Sequence, residues 1–193
     1  LQDLDRDEAI DIITFLEFLN GRVKVPLMLD STDPIVLREA LKRSPGKSII
    51  NSINLEDGED RLRIIVPLIK EFGAAVVVGC IDDNRIQGQA ITKERKLHIA
   101  KRAFKLLTEK YDILPYDIIF DPLVFPIGTG DSNYVGSGIE TIEGVSMIKK
   151  AFPEAKTILG ISNVSFGLPT AGREVLNSVF FYHCVKAGLD MAI

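Results

Sequence analysis

Cysteine and histidine occur only twice each among the 193 residues. Cys80 and Cys184 are far apart in apolar stretches, and His98 and His183 fall inside expected helices. The pattern argues against a disulfide framework and against metal chemistry through Cys or His, and it fits a reducing compartment. Basic residues are also in deficit: 23 Lys and Arg against 27 Asp and Glu give a formal charge of −4, which argues against a nucleic-acid partner. No apolar run approaches the roughly 20 residues needed to cross a bilayer. The acidic start, with Asp3, Asp5, Asp7 and Glu8, does not suit the basic region of a signal peptide. A soluble cytoplasmic protein with no membrane partner is expected. Finally, neither G-x-G-x-x-G nor G-x-x-x-x-G-K-[ST] occurs, so the glycine-rich phosphate loops of nucleotide-binding folds are missing.

What is present is a regular alternation. Residues 5–19 carry Ala9, Ile12, Ile13, Leu16 and Leu19 at helical spacing before Asn20-Gly21. The apolar run Val23 to Leu29 predicts a strand, and Asp33-Pro34 then reads as a helix cap followed by proline at the first turn. The unit repeats: a strand over 48–53, a helix through Leu62, Ile65, Val66 and Ile69 closed by Gly73, and an apolar strand over 74–81. That last run does not alternate, as expected of a central parallel strand covered on both faces. Thr92 can cap a helix striped by Leu97, Ala100, Phe104 and Leu107. A fourth strand spans 117–123, and Ser137 and Glu140 are spaced as a capping box. A fifth strand spans 157–162, Gly188 ends a helix through Leu176, Val179, Phe180 and Val185, and Met191 to Ile193 open a sixth strand.

Six strands alternating with six helices predict a parallel sheet with right-handed crossovers. Polar residues close nearly every strand: Asp30, Asn51, Asp82, Asp121 and Asn163. A (β/α)8 TIM barrel gathers such ends at one mouth, but a full barrel has eight strands and about 250 residues. Residues 1–193 are therefore read as one partial barrel domain, lacking the first strand and the last βα unit. Taken singly, strand-end Asp and Asn residues also suit turns and caps. Together they make a set of acceptors and neutral donors matched to a 2-amino-4-oxo-pyrimidine edge, as in pterins and guanine.

The segments Met28-Leu29-Asp30-Ser31-Thr32, Ile50-Asn51-Ser52-Ile53, Phe120-Asp121-Pro122 and Gly160-Ile161-Ser162-Asn163-Val164-Ser165-Phe166-Gly167 resemble the pterin-binding methyltransferase family, the folate-binding barrels of cobalamin-dependent methionine synthases. Gly88-Gln89-Ala90 and Val179-Phe180-Phe181-Tyr182-His183 extend the resemblance along nearly the whole chain. It implies a pterin-type barrel that binds 5-methyltetrahydrofolate as substrate. The N5 methyl group would pass to cob(I)alamin, held by another domain or protein, with no metal bound here. Asp30, Asn51 and Asp121 fall on the pterin-binding positions, and Asn163 falls on the asparagine that hydrogen-bonds near N5. Asp82 and Arg173 are further candidates, Arg173 for the carboxylate of a folate tail. Three alternatives are a methyltransferase acting on a corrinoid iron–sulfur protein, a dihydropteroate synthase-like enzyme, and a non-catalytic folate-binding module. Against the second, Pro122 is followed by Leu123-Val124-Phe125-Pro126-Ile127, with no lysine.

Overall fold

The computed structural model describes residues 6–193. Helix α1 (Glu8–Leu19) starts where the Asp7 carboxylate accepts the amide hydrogens of Ala9 and Ile10, an N-cap just inside the expected start. Asp5 and the preceding residues lie outside the described residues. Strand β1 is only Met28–Asp30, shorter than the expected 23–29. Pro26 has no N–H to give a ladder, and Val25 is exposed. Helix α2 (Pro34–Arg43) carries the expected cap, with Asp33 accepting from the Ile35 amide at 2.7 Å.

Strand β2 (Ile49–Leu55), helix α3 (Asp60–Phe72) and strand β3 (Ala75–Asp82) follow, with Gly73 in the left-handed conformation that ends α3. Helix α4 (Lys93–Lys105) is capped by Thr92 as expected, but it buries Lys96, Ile99, Ala100 and Ala103. Of the expected stripe, Ala100 and Leu107 are fully buried, while Leu97 and Phe104 pack partly against the core and Lys96, Ile99 and Ala103 complete the buried face. Strand β4 is Ile118–Asp121, two residues short of the expected end at 123, where Leu123 at φ 66° has turned the chain out of the sheet. Helix α5 (Ser137–Ala151) has no side-chain cap, so the expected capping box does not form. Glu140 instead accepts the Lys93 amide hydrogen at 2.7 Å and caps the neighbouring helix α4. Strand β5 is Lys156–Leu159, and residues 161–165 make a 3₁₀ turn where the sequence predicts more strand. Helix α6 (Thr170–Ala187) and strand β6 (Met191–Ala192) complete the order.

The six strands lie in sequence order, β1 to β6, and every neighbouring pair is parallel. A doubly wound sheet reverses direction at a switch point; this one winds a single way. Two apolar layers sandwich it. One joins helix and strand residues such as Leu37, Ile50, Ile65, Val76, Ile99 and Phe120. The other is made of strand residues alone: Ala75, Val77, Ile119 and Ile158, flanked by Met28, Ile49 and Met191. Helices on one face and a strand-only interior on the other define the curled sheet of an incomplete β/α barrel, as expected.

After β3 the chain doubles back, with Asp82 N–H donating to Gly88 O and Ala90 N–H to Cys80 O. A Cβ at Gly88 would stand 2.8 Å from Asn84 O and 2.9 Å from Asp82 O, both backbone atoms. Gly88→Ala is therefore expected to cost about 1–3 kcal/mol, as overpacking does, read as a lowered urea midpoint at unchanged m-value.

Candidate functional site

Side chains alternate across a strand, so parity decides which strand-end groups enter the barrel. Asp30 and Asn51 are paired across β1 and β2, and Gly79 is paired with Asp121 across β3 and β4. Counting from the interior residues Met28, Ile49, Val77 and Ile119, Asp30, Asn51 and Asp121 share the inward parity. A cavity of about 490 Å³ opens there, lined by Asn51, Asp121, Asn163 and Gln89 over the apolar Val77 and Ile158. Its size lies within the roughly 300–1,000 Å³ usual for small-molecule sites.

Asp121 sits half-buried at the end of β4. Its Oδ1 accepts the Leu123 amide hydrogen at 2.9 Å, which stabilises the left-handed turn at Leu123. Burial pushes this carboxyl up to about 6, opposed by the Leu123 N–H and by the charge of Lys96. Asn163 is held in the 3₁₀ turn Ile161–Ser165. Gly160 leaves room for it, since a Cβ there would stand 3.1 Å from Asn163 Nδ2. The β4 and β5 loops interlock around this point: Ile127 N–H donates to Val164 O, and a Cβ at Gly128 would meet Leu168 at 2.5 Å.

The structure brings together three of the four principal candidates. Asn51, Asp121 and Asn163 share the cavity. Asp30 is exposed at its rim, paired in register with Asn51, and lines instead a smaller recess against α1 and α2. Asp82, the further candidate, has the outward parity and does not line the cavity. Its buried carboxylate pairs with Arg95 and with Arg102, the latter at 3.4 Å. Two cations close in space, though distant in sequence, explain how the fold accommodates an acidic residue only 4% exposed that does not face the mouth. Arg173 donates to Ser165 Oγ at 3.2 Å, and Ser165 Oγ donates to Ser162 O at 3.0 Å. It braces the Asn163 turn from behind and does not line the cavity. Both cysteines are buried, and burial pushes each thiol up to about 12, so they are core residues. His98 and His183 are exposed on α4 and α6. Gln89 enters the sequence reading only within the Gly88-Gln89-Ala90 stretch of the resemblance and not as a site candidate; its signal is Gly88 beside it, where the loop folds back to bridge Gln89 with Ile81.

Residues 3–193 match the family described as pterin binding enzyme, and the chain belongs to that family. It is 42% identical over 191 residues to a methionine synthase of Mycobacterium tuberculosis, covering 97% of this chain and 16% of that protein. A methionine synthase of Mycobacterium leprae is 44% identical over 172 residues, covering 88% of this chain and 14% of that protein. The chain thus spans about a sixth of the length of these relatives. Two solved structures share the fold. A Yersinia pestis dihydropteroate synthase with a sulfonamide drug complex superposes with a TM-score of 0.64 at 14% identity, over 100% of this chain and 68% of that one. The Thermus thermophilus dihydropteroate synthase in complex with 6HMPPP gives 0.57 at 19% identity, over 100% and 71%. No helix among the described residues is long and apolar enough to cross a membrane.

The raised Asp121 carboxyl has a stability consequence. The fold favours its protonated form, so the stabilisation is full below the ordinary carboxylate range near 4, shrinks as pH rises, and is gone above about 6. Asp121→Asn keeps an oxygen for the Leu123 amide and removes the buried charge. It is expected to raise the thermal midpoint of the unliganded protein at pH 7–8 and to leave it nearly unchanged at pH 4, as calorimetry would show.

Proposed function

We propose that the cavity binds the pterin ring of 5-methyltetrahydrofolate and that the domain supports transfer of its N5 methyl group to cob(I)alamin, within methionine synthesis from homocysteine by a longer polypeptide. The observation that carries this reading is the meeting of Asn51, Asp121 and Asn163, from three strand ends, on one cavity in a chain of the pterin binding enzyme family. The relatives that match most of the chain are named methionine synthase, which favours methyl transfer over the condensing chemistry of the dihydropteroate synthases that share only the fold.

A pterin presents adjacent N–H donors that one carboxylate can accept together. Asp121 Oδ1 already takes the Leu123 N–H, but each carboxylate oxygen has two lone-pair sites, so both oxygens stay available to the ring. Asn51 adds an amide that both donates and accepts. Asp30 completes the set at the rim, and the apolar Val77 and Ile158 would lie against the ring face. Cob(I)alamin, carried by another domain, would supply the nucleophile.

Transfer breaks the methyl C–N5 bond, and its electron pair stays on N5. A tertiary amine leaves badly as an anion, so N5 must take a proton or a strong hydrogen bond as the bond breaks. The Asn163 amide is assigned this donor role. A bond that strengthens as charge develops lowers the barrier without tightening ground-state binding.

Asn163→Ala is expected to keep 5-methyltetrahydrofolate affinity within about tenfold and to slow single-turnover methyl transfer to free cob(I)alamin by about 10²-fold or more, the loss typical of a transition-state donor. An unchanged rate would remove Asn163 from the chemistry, and folate binding without any transfer by the parent would make the domain a binding module. Affinity is also expected to fall as pH drops through about 6, where Asp121 takes up a proton, and isothermal titration across pH 5–8 would measure this.

A further inference from the structure

We propose that Lys96, a residue outside the cavity, is a positioning residue that holds the Asp121 strand end and its carboxylate in the orientation that receives the pterin ring. This rests on the reading of Asp121 as the ring-binding carboxylate. Lys96 lies on the first turns of α4 and is 0% exposed. Its Nζ donates to Ala90 O at 2.7 Å, Pro122 O at 2.6 Å and Leu123 O at 3.2 Å. Ala90 follows β3 and Pro122–Leu123 follow β4, so one ammonium clamps two strand ends on either side of the cavity wall.

The surroundings are shaped to this side chain. A Cβ at Gly144 on α5 would stand 2.7 Å from Lys96 Cδ, so α5 offers a notch through which the stem passes. The ammonium stands 5.2 Å from the Phe125 ring centroid, a favourable cation–π distance. Thr141 Oγ1 donates to the same Leu123 carbonyl at 3.0 Å, so both polar ends of the left-handed Leu123 residue are tied, its N–H to Asp121 and its C=O to Lys96 and Thr141. Lys96 has no ion pair among the described residues, and a buried ammonium without a carboxylate partner is costly. A methionine of similar length would fill the notch but take the donor away from the Ala90, Pro122 and Leu123 carbonyls, so the lysine is there for its ammonium and not for packing alone.

What the charge adds is electrostatic support to Asp121. The titratable groups that bear on Lys96 are the carboxylates of Asp121 from β4 and Glu140 from α5, and the Cys80 thiol from β3. Burial lowers Lys96 to about 8, which leaves it cationic at pH 7, and it in turn lowers Asp121 against the effect of burial. Glu140 is engaged by the Lys93 amide, and burial keeps Cys80 a neutral thiol.

The test uses Lys96→Met and Gly144→Ala in the full chain. The readouts are the Asp121 carboxyl titration, followed by ¹³C NMR without ligand and assigned with Asp121→Asn, and the pH profile of 5-methyltetrahydrofolate binding. Lys96→Met is expected to move the Asp121 midpoint up by one pH unit or more and to weaken binding at pH 7 at least tenfold. Gly144→Ala keeps the charge but displaces the stem, and is expected to weaken binding severalfold with a smaller midpoint change. A Lys96→Met protein that loses only thermal stability, with parental titration and binding profiles, would overturn the proposal. Should Lys96→Met not fold, Gly144→Ala with parental binding would overturn it equally. A parent that binds no 5-methyltetrahydrofolate at any pH would defeat the pterin reading alone, because the ligand-free titration still decides the role of Lys96.

Discussion

The strand-borne groups of this site depend on the two-residue alternation of a curled parallel sheet. Each strand residue has one of two destinations, the interior of the curl or the layer beneath the helices. Asp121 goes inward, while Asp82, at the end of the preceding strand, points outward to Arg95 and Arg102. Side-chain chemistry is the same in both residues. One position of parity puts one carboxylate on the cavity and makes the other a strut between a strand and a helix.

Around that constraint, the loops are fixed by contacts that leave little freedom. Gly88 lets the β3 loop fold onto its own strand, Gly160 makes space for the Asn163 amide, and Leu123 holds a left-handed turn with its N–H and C=O both satisfied. The cavity lining carries Asp121 with the amides of Asn51, Gln89 and Asn163, and the Lys96 ammonium is bound to the Pro122 carbonyl just past the end of β4. Burial alone would push Asp121 toward neutrality. The Leu123 amide and the Lys96 ammonium oppose that push, so the turn that shapes the site also sets its charge.

Much of this is legible in the chain. Asp33, Thr92, Gly73 and Gly188 end or begin helices as local chemistry requires, because a cap needs only its own neighbours. Asn51, Asp121 and Asn163 are recognisable from strand-end position and from family resemblance. The departures share one cause. Glu140 serves α4 rather than its own helix, Asp82 meets arginines 13 and 20 residues away, and Lys96 is buried although it sits among charged residues on a polar-looking stretch. In each case the deciding partner lies on another element, and periodicity within one segment carries no information about it.

The sequence by itself determined the alternation of strands and helices, their caps, and the polar residues that close the strands, since hydrophobic period and turn chemistry act over a few neighbouring residues. Only the tertiary structure decided which of those polar residues meet. Whether a carboxylate faces a cavity or an arginine is settled by the register between strands and the depth at which a helix packs on them, and both follow from contacts between segments far apart in the chain.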